Sequence, residues 1–169
     1  MDSLDKGVWR CRYLCRGTKI RVFRSLVLPV LLYGCETWTL TSELKNRLNV
    51  FGTRSLRRIL GYRWSDFVSN DRVLREARMR CITCIITQRQ LQLYGHVARF
   101  PGNDPAAQIP SAQEPVQWTR LRGRPRATWL SEVDHSFQKV GIGRVAAWRM
   151  ASRRPKEYRK KVDAATRHC

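Results

Sequence analysis

The sequence predicts a mainly α-helical protein, with a small helical bundle followed by a proline-rich linker and a basic, helical C-terminal segment. Apolar residues recur at intervals of three and four along several stretches, which is the spacing of a helix with one buried face. Residues that favour helix ends stand at the borders of those stretches. Hydrophobic residues make up 43% of the chain and include six tryptophans, which argues against wholesale disorder. We expect a helical domain over residues 1–100, the linker over 101–119, and a basic arm with further helices over 120–169.

The first helix is predicted over residues 19–33. Its apolar side chains follow helical spacing and are Ile20, Phe23, Val27, Val30 and Leu31. Pro29 should kink or divide this helix, because proline lacks the amide hydrogen that the helical ladder needs. Residues 34–40 alternate in polarity and include β-type side chains, so we interpret them as a turn or a short extended link.

The second helix is predicted over residues 42–60. Thr41 or Ser42 can cap its N-terminus, Glu43 suits its first turn, and Gly61 gives it a stop. One half of the helix is apolar and consists of Leu44, Leu48, Phe51, Leu56, Ile59 and Leu60. The other half gathers four arginines, Arg47, Arg54, Arg57 and Arg58. We expect the apolar half to pack, while the arginines either face a track of phosphates or form an ordinary solvated surface.

The loop at residues 62–67 is rich in aromatic residues. Its Trp64 and Phe67 either stack on nucleic-acid bases or anchor the loop to the core, and we favour anchoring because loop aromatics more often do this. A short helix then runs through Glu76 and is capped by Ser69 or Asn70. A longer helix is predicted over residues 79–99. Its apolar stripe consists of Ile82, Ile86, Leu93, Val97 and Phe100.

The C-terminal third begins with the linker, which is marked by four prolines between residues 101 and 115. Residues 120–126 then form a basic arm of the kind that lies along a phosphate backbone. A helix is predicted over residues 128–139, between a Thr128 cap and a Gly141 stop. A last helical stretch runs from residue 144 into the basic residues 153–161, and Pro155 interrupts it.

Charge is the strongest signal in the composition. Lys and Arg number 33 against 13 Asp and Glu, a net charge of +20. The excess is +5 over residues 1–53, +7 over 54–99 and +10 over 118–169, and residues 100–117 carry −2. Such a field attracts polyphosphate, so the expected partner is the backbone of RNA or DNA, although a ribosomal-type structural protein or a solvated basic surface also has this composition. The first residues form no secretory signal and no apolar run is long enough for a membrane span, so we expect no membrane partner and a nuclear or cytoplasmic location.

The six cysteines are expected to be reduced thiols, because no secretory signal directs the chain to an oxidising compartment. Cys81 and Cys84 are weak candidates for a zinc site, with His96 downstream. On a single helix His96 would lie about 18 Å along the axis from Cys84, whereas zinc ligands lie about 2.0–2.3 Å from the metal. Cys11 and Cys15 could join the first pair in space, but no complete set has a zinc-finger spacing. We therefore expect buried structural thiols and no metal.

The sequence contains no complete catalytic centre. Two-metal polymerase or nuclease chemistry needs clustered carboxylates, and the acids here are scattered. Glu132 and Asp134 stand two apart on a predicted helix and point in divergent directions. No Walker-type loop occurs, and no Ser or Cys nucleophile stands near a convincing His. We expect no cofactor, and no enzymatic activity of this chain by itself.

Four segments, in order along the chain, resemble the region that follows the polymerase domain in LINE-type (non-LTR) retrotransposon reverse transcriptases. The first is Leu31-Leu32-Tyr33-Gly34-Cys35-Glu36-Thr37-Trp38, similar to L-L-Y-G-x-E-x-W in that family. The others are Phe51-x-x-x-x-Leu56-Arg57-x-Ile59, Gly95-His96-Val97-x-Arg99 and Gly123-Arg124-Pro125-Arg126-x-x-Trp129. The resemblance covers nearly the whole chain.

The resemblance implies an origin in a multidomain enzyme that carries an endonuclease, a reverse transcriptase and a basic helical C-terminal region, of which this chain matches only the last. The polymerase palm domain, with its paired aspartates, is then a further partner. The Cys/His-rich cluster that often ends the family is truncated or missing at His168-Cys169. In the family the helices after the palm form a thumb that grips nucleic acid. The residues we expect on nucleic acid are Arg47, Arg54, Arg57, Arg58, Arg99, Arg122, Arg124, Arg126, Arg153 and Arg154.

The leading hypothesis is a C-terminal reverse-transcriptase fragment that binds RNA or DNA without sequence preference, because phosphate contacts position a protein but do not specify a sequence. Three other hypotheses stay open. The chain is a subunit of an active RNA-directed DNA polymerase, or a host-adopted DNA-binding protein whose helices at 42–60 and 70–76 form a helix-turn-helix, or a translated relic with no selected role.

Overall fold

The computed structural model describes residues 5–108, 122–123 and 127–166. These residues contain nine α-helices and no β-strand, so the predicted mainly α-helical class is confirmed. The helices are α1 (Arg16–Val22), α2 (Leu28–Leu31), α3 (Ser42–Leu60), α4 (Asn70–Glu76), α5 (Ile82–Val97), α6 (Pro105–Gln108), α7 (Trp129–Gln138), α8 (Arg144–Arg153) and α9 (Pro155–Ala165). Within the same residues, none of these helices combines the length and the apolar character that a membrane span requires.

The chain divides into two compact units. The first comprises Met1–Cys35 and Ser42–Ile86, and the second comprises Glu36–Thr41 and Thr87–Cys169. The first residues of helix α5 therefore belong to the first unit, and the remaining residues belong to the second. The predicted boundaries at residues 100 and 119 stay a prediction.

In the first unit, the predicted first helix changes register before Pro29. A π-helical turn covers Phe23–Val27, and the amide of Leu28 donates to the carbonyl of Phe23, five residues back. Pro29 then lies in the first turn of α2, where its missing amide hydrogen costs little. The wider turn rotates the later side chains about the axis, so Leu28 is buried and Val30 is 80% exposed. The predicted apolar stripe is therefore wrong at Val30.

Helix α3 begins and ends as predicted, and Gly61 follows it with a φ of +77°. Its C-terminal half packs, because Leu56, Ile59 and Leu60 are buried. Its N-terminal end does not, since Leu44 is exposed, so the predicted apolar half is buried only in part. The predicted cap of α4 is also confirmed, with the Ser69 hydroxyl accepting from the amide of Arg72.

The inward face of α3 is fixed by the start of α5. The side-chain oxygen of Asn49 accepts a hydrogen bond from the amide of Thr83 at 3.1 Å. One turn further along α3, a Cβ on Gly52 would lie 2.9 Å from Cδ1 of Ile82, so a larger side chain there would push on Ile82. With this face turned inward, the arginines of α3 are left on the other side.

The second unit has a core formed by α5, α7, α8 and α9. Its buried residues are Leu91, Tyr94, Ala98, Val133, Phe137, Ala147, Ala151, Tyr158, Val162 and Ala165. The predicted stripe of α5 is wrong in this half, because Leu93, Val97 and Phe100 are only half-buried. The deeply buried face is displaced to Leu91, Tyr94 and Ala98 because Gly95 lets a ring of α9 approach closely.

The helix ends of the second unit follow local sequence signals. Thr128 caps α7 through a reciprocal pair of hydrogen bonds with Ser131, and Gly141 follows with a φ of +69°. Pro155 separates α8 from α9, as predicted. Inside the predicted linker, the described residues 101–108 include α6, where Ala107 is buried.

The cysteine expectation is wrong for one pair. Cys81 and Cys84 form a disulfide, with their Cα atoms 5.4 Å apart. The spacing of three residues at the start of α5 brings the two side chains within the range that a disulfide requires. Bonded sulfur atoms are not thiolates, so this pair does not offer zinc ligands in this structure. Among the described residues, Cys11, Cys15 and Cys35 take part in no disulfide. Cys35 is buried as expected, whereas Cys15 is exposed, so the expectation of buried thiols is wrong for Cys15.

Candidate nucleic-acid interface

Helix α3 brings three of its four predicted arginines together around one surface depression. Arg47, Arg54 and Arg58 line an opening of about 440 Å³, together with Asn46, Val50, Phe51 and Ser55. All seven residues belong to one helix at spacings of three and four, so they share a face. The depression combines guanidinium groups with apolar side chains, which suits an anion that carries a flat or apolar part.

The three guanidinium groups differ in their surroundings. Arg47 pairs with Glu43 one turn earlier, at 2.6 Å between Nη2 and Oε1. Both side chains are largely exposed, and such pairs contribute only about 0.3–0.5 kcal/mol, so a phosphate can compete for Arg47. Arg54 and Arg58 are exposed about two and three turns further along the helix.

Arg57 serves a different purpose from its neighbours. Its side chain is half-buried and donates to the carbonyl of Val68 and, at 2.9 Å, to the side-chain oxygen of Asn70. These bonds join α3 to the start of α4 across the loop at residues 61–69. The structure therefore places Arg57 on an internal contact, apart from the depression.

The remaining predicted arginines lie in other places. Arg99 lines a second depression of about 440 Å³ with Arg159, Tyr158 and Asp163 in the second unit. Arg153 and Arg154 line a smaller one of about 220 Å³, where Arg154 also pairs with Glu157 at 3.4 Å. Arg122 is exposed. Arg124 and Arg126 lie outside the described residues.

Sequence reasoning missed other basic positions. In the first unit, an opening of about 370 Å³ is lined by Arg16, Arg21, Arg24 and Arg78 with Glu76. Part of this charge is engaged, because Arg16 pairs with Glu76 at 3.3 Å and Arg24 donates to the carbonyls of Ala77 and Arg78. The signal that could have found this group is the spacing of Arg16, Arg21 and Arg24 along the first helix. In the second unit, Arg149 and Arg159 were missed in the same way.

The carboxylates do not assemble into a metal site in the part of the chain that the structure describes. No group of three or more His, Cys, Asp or Glu side chains suited to a metal ion occurs there. Asp134, one of the two acids of α7, instead pairs with Arg144, with 3.5 Å between Oδ1 and Nε. The exposed chemistry of the described residues is therefore dominated by guanidinium groups.

Comparison with known proteins gives one distant similarity. The chain is 27% identical over 121 residues to a protein of Caenorhabditis elegans described as uncharacterized and transposon-derived. The match covers 68% of this chain and 42% of that protein, so the chain spans about two fifths of the relative's length. No protein-family model and no solved structure matches the chain.

Proposed function

We propose that this chain is a nucleic-acid-binding piece of transposon origin, corresponding to the region after the palm of a LINE-type reverse transcriptase. It holds the backbone of RNA or DNA and does not read the sequence. The observation that carries the proposal is the set of three arginines, Arg47, Arg54 and Arg58, around one depression of α3. Guanidinium groups pair with phosphate through two parallel hydrogen bonds, which makes a face with three of them suited to a phosphate backbone.

The origin is supported by two separate findings. The chain is similar to a transposon-derived protein over 121 residues. It also carries, in order, the four segments that resemble the post-palm region of LINE-type enzymes. Two residues of those segments, Trp129 and Glu36, are joined by a hydrogen bond of 2.7 Å in the second unit. Residues from two of the four segments are therefore in contact in the folded second unit.

Charge supports binding without sequence preference. The chain has a net charge of +20, and a field of this sign draws any polyphosphate to its surface. Contacts to phosphates fix the position of a protein on nucleic acid but carry no sequence information. We therefore expect similar affinities for strands of unrelated sequence and equal length.

The experiment compares two variants that lose the same charge. One carries Arg47→Gln, Arg54→Gln and Arg58→Gln, and removes the basic face of α3. The other carries Lys156→Gln, Lys160→Gln and Lys161→Gln, three exposed positions on α9 that line none of the depressions described above. Affinity for a labelled duplex and a labelled single strand is measured by fluorescence anisotropy at one salt concentration.

The α3 variant should lose at least about tenfold in affinity, because each lost charge-assisted contact is worth roughly 1.5–3 kcal/mol at best and less at an exposed site. The lysine variant should lose markedly less. Equal losses in the two variants would contradict the proposed site and leave only a general attraction by charge. No binding by the unaltered protein would contradict the function itself.

The rival helix-turn-helix hypothesis is not favoured by the geometry of the two helices. That motif joins its helices by a turn of about three or four residues. Here α3 and α4 are separated by residues 61–69, which include a 3-10 turn at Trp64–Asp66. Sequence-selective binding to duplex DNA would restore that hypothesis.

The proposal includes an upstream polymerase palm as a partner. Leu26 lies in the π-helical turn before α2, Val30 lies in α2 and Tyr33 follows α2; all three large side chains are exposed. Several large exposed apolar side chains within eight residues of sequence are typical of a surface that packs on another domain. Leu26→Ser with Val30→Ser should leave the free energy of unfolding of the isolated chain unchanged and reduce its self-association in sedimentation velocity. Unaltered self-association would argue against this surface.

A further inference from the structure

Two aromatic rings stand exposed in the loop between α3 and α4. Trp64 is 90% exposed and Phe67 is 85% exposed. The expectation that they anchor the loop to the core is therefore wrong. Burying side chains of this size is strongly favourable, so two of them left together in water require another explanation.

The two rings form a pair. Their centroids lie 6.0 Å apart, and their planes are inclined by 48°. They come from one short segment, a 3-10 turn at Trp64–Asp66 followed directly by Phe67. The pair therefore offers two neighbouring aromatic surfaces to the same molecule.

The backbone holds this segment in a defined conformation. The amide of Arg63 donates to the carboxylate of Asp66 at 2.7 Å, which closes the turn. Phe67 has a φ of +48°, a left-handed conformation that bulky residues rarely adopt. Strain of this kind costs on the order of 1–3 kcal/mol and concentrates at binding sites, where the surroundings enforce it. On the far side of Phe67, Arg57 fixes the chain through the carbonyl of Val68.

The charge around the rings indicates the class of ligand. Residues 54–86, the part of this stretch that belongs to the first unit, carry eight basic and three acidic side chains, a net charge of +5. Arg63 is exposed directly beside Trp64, while the one acid of the loop, Asp66, is occupied in closing the turn. Exposed aromatic rings inside a positive field are the two elements that proteins combine to bind single-stranded nucleic acid.

We infer that Trp64 and Phe67 form a stacking site for unpaired bases of single-stranded RNA or DNA. This inference rests on the proposed function, in which α3 holds the phosphate backbone. A base in a duplex is already stacked on its neighbours and would have to be removed from the helix, so the site selects single strands, ends and loops. An uncharged apolar partner would gain nothing from the surrounding arginines, which is why nucleic acid is favoured over a protein surface.

The test uses the full chain and two strands of equal length and equal phosphate number, oligothymidylate and the same strand with abasic residues. The unaltered protein should bind the strand that carries bases at least about fivefold more tightly, because stacking on an aromatic side chain is worth roughly that factor or more per base. The double variant Trp64→Ala with Phe67→Ala should lose this preference and keep its affinity for the abasic strand.

Two controls separate stacking from a change of fold. Tyr13→Ala removes another exposed aromatic ring of the first unit and should keep the preference. Trp64→Phe retains a flat ring and should keep most of it. Because both loop rings are exposed, thermal unfolding of the double alanine variant should match that of the unaltered protein.

The outcomes distinguish the inference from the function on which it rests. Equal binding of both strands by the unaltered protein would overturn the stacking site while leaving the arginine face of α3 intact. If the Trp64→Ala with Phe67→Ala variant lost affinity equally for both strands, the stacking site would also be overturned. The rings would then support the conformation of the loop or a contact to phosphate. If that variant keeps the preference for the strand that carries bases, the inference is wrong. The exposed rings would then be assigned to contact with a protein partner. Absence of binding to either strand would contradict the proposed function first.

Discussion

The indole N–H of Trp129 donates a hydrogen bond of 2.7 Å to the backbone carbonyl of Glu36, across 93 positions of sequence. In the same unit the side-chain Nε2 of Gln90 donates to the backbone carbonyl of Trp38, also at 2.7 Å. The short segment between α2 and α3 is therefore tied to α5 and α7 by side chains that satisfy its carbonyls. An unsatisfied carbonyl away from water is costly, so these bonds matter for the stability of the second unit.

Trp129→Phe should lower the free energy of unfolding by about 1–2 kcal/mol, because it removes the donor and keeps an aromatic ring. Urea unfolding measures the change. The matched control is Trp64→Phe, since Trp64 is exposed and its substitution should leave stability within about 0.5 kcal/mol of the unaltered protein. Equal effects of the two substitutions would show that the bond to Glu36 contributes nothing.

Gly95→Ala should destabilise the second unit, although alanine is the better helix former by about 1 kcal/mol. A Cβ at this position would clash with the ring of Tyr158, which is itself buried and donates to the carbonyl of Leu91. The ring cannot move without breaking that bond, so we expect a net loss of about 1–3 kcal/mol in thermal or urea unfolding.

The control for Gly95 is Gly102→Ala. No atom lies within 4 Å of a Cβ built on Gly102, so this substitution should change stability by less than about 0.5 kcal/mol. A Gly95→Ala variant as stable as the unaltered protein would mean that α5 and α9 do not pack as closely as the structure places them.

Alkaline pH should destabilise the second unit through two tyrosines. Burial raises the pKa of Tyr94 and of Tyr158 well above the ordinary value near 10. Above about pH 10 the unfolded chain releases these protons while the folded chain retains them, so the free energy of unfolding falls as pH rises. The contribution is fully present below about pH 10 and is lost above it.

Urea unfolding at about pH 9 and about pH 11 measures this loss, which should reach roughly 1–2 kcal/mol per pH unit above the ordinary tyrosine pKa. The variant Tyr94→Phe with Tyr158→Phe should be less stable at the lower pH and should show a shallower decline. An unchanged slope in that variant would assign the alkaline loss to other groups.

Substitution of Arg57 should mainly lower stability, whereas substitution of Arg54 should mainly weaken nucleic-acid binding. Arg57→Gln removes the donor to Val68 and Asn70, and should lower stability by about 1–2 kcal/mol. Arg54→Gln, at an exposed position in the depression, should leave stability unchanged and weaken nucleic-acid binding. Anisotropy titrations and urea unfolding of the two variants measure both quantities. If the two variants had the same affinity for nucleic acid and the same stability, the assignment of Arg57 to the fold and of Arg54 to binding would be contradicted.

Local signals in the sequence predicted most helix ends. The bounds of α3, the Ser69 and Thr128 caps and the break at Pro155 all follow from side chains acting within one turn of their own position. The π-helical turn before Pro29 was missed, because its single additional residue rotates the face of the helix without leaving a mark in the apolar spacing.

Tertiary contacts decided what sequence patterns could not. The buried face of α5 depends on the close approach of Tyr158 to Gly95, two residues that are distant in sequence. Arg57 shares the helical face of Arg54 and Arg58 in a simple projection, and only the position of the following loop gives it an internal partner. The exposure of Trp64 and Phe67 likewise depends on where the turn places them.

The central claim is that guanidinium groups on α3 hold nucleic acid by neutralising phosphates, and the dependence of affinity on salt tests it most directly. For the unaltered chain, the logarithm of the binding constant should fall linearly with the logarithm of salt concentration between about 50 and about 200 mM, with several counterions released. In the variant Arg47→Gln, Arg54→Gln and Arg58→Gln the slope should be smaller by about 2–3, one for each lost contact. A slope near zero in the unaltered chain, or the same slope in both proteins, would contradict the claim.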